Sequence, residues 1–196
     1  MIKKIHNFKL KIRNYNAGMT YVELIVVLSI FGIMSSIILF NYGKFQAKVD
    51  IKNLASDIAL KIVQAQKDAM SGKIQINPFT TAPAYGVYFD LLVPDGFIYF
   101  ADLDNSNDIG ISELLEKINI TKGNYIFEIG TYTGTTLVQQ IATPLSITFT
   151  RPNSSAIFNY LGSDTPYDYI QITISSSDDS VKGYIKIYPS GRIQVN

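Results

Sequence analysis

From Leu24 to Phe40 the chain carries no ionisable side chain, and Glu23 is the last charge before that run. At 1.5 Å per residue, Met19 to Phe40 forms a helix of about 33 Å, enough to cross a hydrocarbon core of roughly 30 Å. Beyond it the pattern turns amphipathic. Ile51, Leu54, Ala55, Ile58, Ile62, Ala65 and Ala69 recur at three- and four-residue spacing, with Lys52, Asp57, Lys61, Gln64 and Asp68 between them. No proline interrupts Met19 to Ser71, Gly43 is the one weak point, and Ser71-Gly72 reads as a stop. The pattern predicts one helix of about 50 residues, roughly 75 Å long. Its first half suits lipid and its second half suits the surface of a soluble domain.

After Lys73 the helical period ends. Short runs rich in Ile, Val, Tyr, Phe and Thr alternate with turn residues: Tyr85–Leu91, Phe97–Ala101, Tyr125–Ile129, Leu145–Thr150, Ala156–Tyr160, Tyr169–Ser175, Gly183–Tyr188 and Arg192–Val195. Pro94-Asp95-Gly96 and Pro189-Ser190-Gly191 are hairpin turns between such runs. The expected fold class is α+β: a long N-terminal helix packed on an antiparallel β head of about eight strands. About 125 residues of head bury a core of their own, with the amphipathic helix completing one face.

Lys3, Lys4, Lys9, Lys11 and Arg13 precede the apolar run without an acidic residue. Such a charge excess holds that end in the cytoplasm and places the head outside. In a secretory signal the small-residue cleavage site follows the apolar run; here Ala17-Gly18 comes before it. An uncleaved signal anchor is the plain alternative, and it leaves Gly18 and Glu23 unexplained. A charge inside a membrane helix costs about 2.5–3.5 kcal/mol at the bilayer centre, so a carboxylate there calls for a partner.

Gly18, Met19 and Glu23, with the apolar run behind them, resemble the prepilin cleavage and methylation motif of type IV pilins and type II secretion pseudopilins. The resemblance covers about the first quarter of the chain. It implies that a prepilin peptidase cuts between Gly18 and Met19 and methylates the new amine. It also implies that Glu23, fifth in the mature chain, pairs with the terminal amine of a neighbouring pilin subunit during assembly. Phenylalanine is commoner than Met19 at that place, and the proline often found late in the run is replaced by Phe40-Asn41-Tyr42. Ile147–Asn153 and Gly191-Arg192-Ile193 are similar, more weakly, to the late strands of minor pseudopilins. On this resemblance residues 1–18 are a cleaved leader, 19–40 the transmembrane half of the helix, 41–72 its amphipathic half, and 73–196 the head, one domain with 41–72.

Loss of the leader would remove five of 17 basic residues against 16 acidic ones and move the formal side-chain charge from +1 to −4. His6, the only histidine, would go too, and cysteine is absent. Imidazole- and thiol-based nucleophilic sites, and zinc sites built on them, are thereby excluded from the mature chain. An acidic balance also argues against a non-specific nucleic-acid surface. The aromatic residues fall mostly on alternating strand positions, which fits packing rather than a stacking platform.

One loop carries further chemistry. Asp102, Asp104, Ser106, Asp108 and Glu113 stand at the first, third, fifth, seventh and twelfth places of a twelve-residue calcium loop, with Ile109 at its apolar anchor. The sixth place holds Asn107 where such loops want glycine. Asp, Asn and Ser also build ordinary turns by bonding to nearby backbone, so a plain turn and a calcium (Ca2+) site both stand. Four acids in so short a loop fit a cation better than an acid/base pair, and no enzyme is expected.

The expected function is that of a structural, minor subunit of a type IV pilus or type II secretion-like pseudopilus, drawn from the cytoplasmic membrane into the filament. The alternative is a membrane-anchored extracytoplasmic binding module.

Overall fold

A computed structural model describes residues 18–73, 82–162 and 165–196, without the side chains of residues 39–41. The expected leader therefore lies outside the described residues except for Gly18. The chain divides into two compact units, Met1–Tyr42 and Gly43–Asn196.

Helix α1 runs Tyr21–Ser71, two residues shorter at its start than the hydrophobic pattern predicts. The reason is local. Thr20 caps the helix: the Glu23 amide donates to Thr20 Oγ1 at 3.3 Å, and the Thr20 amide and hydroxyl donate to Glu23 Oε2, each at 3.4 Å. This is the reciprocal Thr-x-x-Glu capping box. Its last turn ends as expected at Gly72, whose φ of +63° suits glycine. There the Lys73 amide reaches Asp68 O and the Gly72 amide reaches Ala69 O, both at 3.2 Å, the paired bonds of a glycine-closed helix end.

Among the described residues the second unit holds ten strands where about eight are expected, and they form two sheets rather than one. β1 (Ala84–Phe89), β2 (Gly96–Asp102), β3 (Leu114–Asn119), β6 (Leu145–Thr150) and β7 (Asn153–Asn159) make one sheet in the order β3-β2-β1-β6-β7. β4 (Tyr125–Thr133), β5 (Thr136–Gln140), β8 (Tyr169–Ser175), β9 (Lys182–Ile187) and β10 (Ile193–Val195) make the other, ordered β10-β9-β8-β4-β5. Every pairing is antiparallel. The two strands absent from the sequence reading, β3 and β5, are edges with mostly exposed side chains, so neither needs the apolar alternation that marks a strand.

Inner faces of both sheets and the helical stripe share one core. Tyr85, Val87, Phe89, Ile147 and Phe149 come from the first sheet, Ile170, Ile172, Ile174, Ile185 and Ile187 from the second, and Ile51, Ile58 and Ile62 from α1. Leu54, expected in the stripe, is only half-buried. At Gly183 a Cβ would stand 2.8 Å from Ile51 Cγ2, so a glycine lets the helix approach β9 this closely. Polar ties bind the helix at several points. Lys61 Nζ meets Glu116 Oε2 at 2.9 Å, Lys122 Nζ meets Asp50 Oδ1 at 2.7 Å, and Gln66 Nε2 donates to Ser154 O at 2.8 Å.

Candidate functional site

The first candidate site lies at the start of α1. Among the described residues this helix is the one long and apolar enough to cross a membrane, and none of its most apolar window is buried within the protein. Met19, Tyr21, Val22, Leu24, Ile25, Phe31 and Ile33 all stand exposed. Ser29 Oγ donates to Ile25 O at 2.8 Å, so its hydroxyl is satisfied inside the helix, as an apolar medium requires. The segment is compatible with a single-pass membrane protein.

Gly18 and Met19 precede the first helical turn, and both are exposed. Glu23 stands in that first turn, where a carboxylate also complements the positive end of the helix dipole. Among the described residues its carboxylate accepts the two 3.4 Å bonds from Thr20, at the long limit for hydrogen bonds. The Thr20 cap was legible in the Thr-x-x-Glu spacing but was eclipsed by the apolar run that follows.

The second candidate is the loop from Asp102 to Glu113, and it is built differently from either a free turn or a complete five-ligand loop. Asp102, at the end of β2, and Glu113, just before β3, are both buried. Amides of Ser106 and Asn107 donate to Asp102 Oδ1 and Oδ2 at 3.1 and 2.9 Å. Amides of Leu103 and Gly110 donate to Glu113 Oε1 and Oε2 at 2.8 and 2.5 Å. Asn105 and Asn107 adopt φ of 59° and 60°, a left-handed conformation that asparagine tolerates. Asn107 thus fills the place where glycine is usual.

Carboxylate oxygens of Asp102, Asp104 and Glu113 all lie within 4.8 Å of one another. Burial, with the neighbouring Asp104 and Glu113, holds the Asp102 carboxyl above its ordinary value. The hydroxyl and amide of Ser106 hold Asp104 below its own. Oxygen-only donors of this kind suit a hard cation such as calcium.

Of the four expected carboxylate ligands, Asp108 does not join that cluster. The Asp108 carboxylate turns to the first sheet, accepting from Ser146 Oγ at 2.6 Å and from its neighbouring Ile109 amide at 2.8 Å. Ser106 Oγ donates to Asp108 O at 3.3 Å. Next to Asp108, Asn107 Oδ1 accepts from Thr148 Oγ1 at 3.1 Å. β6 lies beside β1, which lies beside β2, so the loop leaves β2, crosses β1 and fastens onto β6.

The loop is therefore a strap. It lies over the outer face of the first sheet, where Phe100, paired with Gly86, is fully buried. Ser146 and Thr148 are 38 and 41 residues from their loop partners, and nothing local in the sequence ties them together.

Compared with known proteins, the chain matches no family model, no curated protein and no solved structure.

Proposed function

We propose that this chain is a structural subunit of a type IV pilus or of a type II secretion-like pseudopilus. On this reading a prepilin peptidase removes Met1–Gly18 and methylates Met19. The mature chain waits in the cytoplasmic membrane with its head outside, then packs its exposed apolar helix against other subunits. Without a hydrophobic drive between helices in lipid, a charge pair sets register. Glu23 supplies the negative member and the terminal amine of the next subunit supplies the positive one.

The observation that carries the reading is Glu23 itself. It is the one charge from Tyr21 to Phe40, five residues after the glycine, at the mouth of an apolar window of α1 none of which is buried within the protein. Among the described residues long bonds from Thr20 hold it, and a cationic partner would bind the carboxylate more strongly.

The capping box supplies an unusually clean test. Glutamine serves at the third helical position of such a box as well as glutamate does, so Glu23→Gln keeps the cap and removes only the charge. The expected outcome is normal insertion and cleavage at Gly18, with the variant absent from sheared filaments. Glu23→Ala should behave alike. Normal incorporation of Glu23→Gln would reduce Glu23 to a capping residue. N-terminal sequencing of the wild-type membrane form should begin at methylated Met19, and a start at Met1 would end the reading.

A further inference from the structure

The buried stripe of α1 advances by three- and four-residue steps through Ile51, Ala55, Ile58, Ile62, Ala65 and Ala69. Continued back toward the start of the helix, the same steps fall on Lys48 and Lys44. Both are exposed. On the side of α1 that carries the core contacts, cover by the sheets therefore ends between Ile51 and Lys48. Lys52 stands one turn after Lys48, at the flank of the stripe, and is exposed as well.

Two turns of the second unit border the helix here. Lys122, in the β3–β4 turn, meets Asp50 at 2.7 Å, and Gly183, just after the β8–β9 turn, lies against Ile51. The turns also meet each other, since a Cβ on Gly123 would stand 3.0 Å from Ser177 Cβ. Their acids are engaged close to home. Asp50 accepts from Lys122 and, at 3.0 Å, from Gln46 Nε2. Asp178 accepts from Ser176 Oγ at 2.7 Å and from the Ser180 hydroxyl at 2.8 Å. Asp179, near Lys182, accepts from Tyr125 and Ser175. Among the described residues, none of Lys44, Lys48 and Lys52 joins an ion pair.

We infer that Lys44, Lys48 and Lys52 bind the headgroups of anionic phospholipids where the amphipathic half of α1 begins. The inference rests on the reading of the apolar run as a membrane span. Lys44 follows Phe40 by four residues, so in a spanning chain the row starts at headgroup level, where lysines are drawn to anionic lipid. Each Cα–Cβ bond of a helix tilts toward its N-terminus, which leans these side chains back toward the apolar run. Tyr42 and Phe45, both exposed, suit the aromatic belt of a membrane surface. Lysines on the outer side also run against the usual charge bias of membrane proteins. With the leader removed, no basic residue precedes the span to offset them. Anionic lipid is the occupant that the bilayer itself brings to this row, before any other subunit arrives. The waiting chain is then held at its outer surface by contacts that must break before it leaves the membrane.

The full chain, purified from membranes, is placed one copy per nanodisc in equal parts phosphatidylcholine and phosphatidylglycerol. Native mass spectrometry then identifies the lipids that stay bound. Phosphatidylglycerol is expected to predominate, and Lys44→Gln, Lys48→Gln and Lys52→Gln each to lower its ratio to phosphatidylcholine about fivefold. Glutamine is nearly as good a helix former as lysine, so these changes leave the helix intact. Lys48→Arg should keep the ratio, and high salt should abolish the preference. Lys67→Gln with Lys117→Gln removes two exposed lysines elsewhere on the same unit and should leave the ratio unchanged. A ratio that ignores the three lysines, an equal fall in the Lys67 and Lys117 variant, or a preference that needs two copies per disc would overturn the inference. The same spectra weigh the chain. A mass that retains residues 1–18 denies the prepilin reading whatever the lipid ratio. A chain washed out of the discs denies the span, and the inference with it.

Discussion

Asp68 stands one turn before the end of α1 and joins the helix to the first sheet. Its Oδ2 accepts from Tyr99 Oη at 2.6 Å and from Lys73 Nζ at 2.9 Å. Tyr85 Oη donates to Lys73 O at 2.8 Å, and the Tyr85 and Tyr99 rings stack at 6.1 Å. Burial works to raise the Asp68 carboxyl, but the Tyr99 hydroxyl and the Lys73 ammonium outweigh it and hold it below its ordinary value. A carboxyl lowered by folding adds stability above its ordinary value, near 4, and that stability is lost as pH falls through the lowered value. Tyr99→Phe should therefore cost roughly 1.5–3 kcal/mol at neutral pH, the range for a hydrogen bond to a charged group. Urea midpoints at unchanged m report the cost. The gap to wild type should narrow as pH drops through the carboxylate range; a gap independent of pH would mean that the bond is not to a charged group. Lys73, about half exposed in its side chain, contributes far less, as surface pairs do.

At the scale of the element, the strap is organised by buried carboxylates more than by exposed ones. Asp102→Ala strands the Asn107 amide inside the loop, worth about 1–3 kcal/mol if left unpaired, and leaves the Ser106 amide to Asp104 alone. Asp104→Ala frees only the exposed Ser106 amide, which Asp102 also serves. Hydrogen exchange of residues 103–112 should rise sharply in the first variant and little in the second. Equal exchange in the two would show that the loop does not hang on Asp102. Ser146→Ala and Thr148→Ala remove the far anchors and should loosen residues 107–109 while leaving the Asp102 end protected.

For the whole molecule, the boundary at Tyr42/Gly43 separates what lipid needs from what the head needs. A chain starting near Phe45 keeps Ile51, Ile58 and Ile62, all buried in the shared core, and should be soluble and cooperatively folded without detergent. Starting near Lys73 removes all three. Each fully buried isoleucine contributes roughly 1.5–3 kcal/mol, so their loss approaches the entire 5–15 kcal/mol stability of a domain. The shorter chain should aggregate, as light scattering would report. Equal folding of both would mean that the helix is not part of the core.

The sequence by itself determined the long helix, its glycine stop, the change from uniformly apolar to one-sided, and the strands buried on their inner faces. Each of these rests on a local repeat or a local conformational demand. Even the Thr20–Glu23 cap, overlooked beside the apolar run, was written within four residues. Tertiary structure alone decided the split into two sheets, because pairing β1 with β6 and β4 with β8 joins segments distant in the chain. It alone recruited β3 and β5, whose exposed side chains leave no pattern to read. And it alone turned Asp108 away from the acidic cluster: the evenly spaced oxygens of the loop say nothing of Ser146 and Thr148, which reach it only because β6 is folded next to β1.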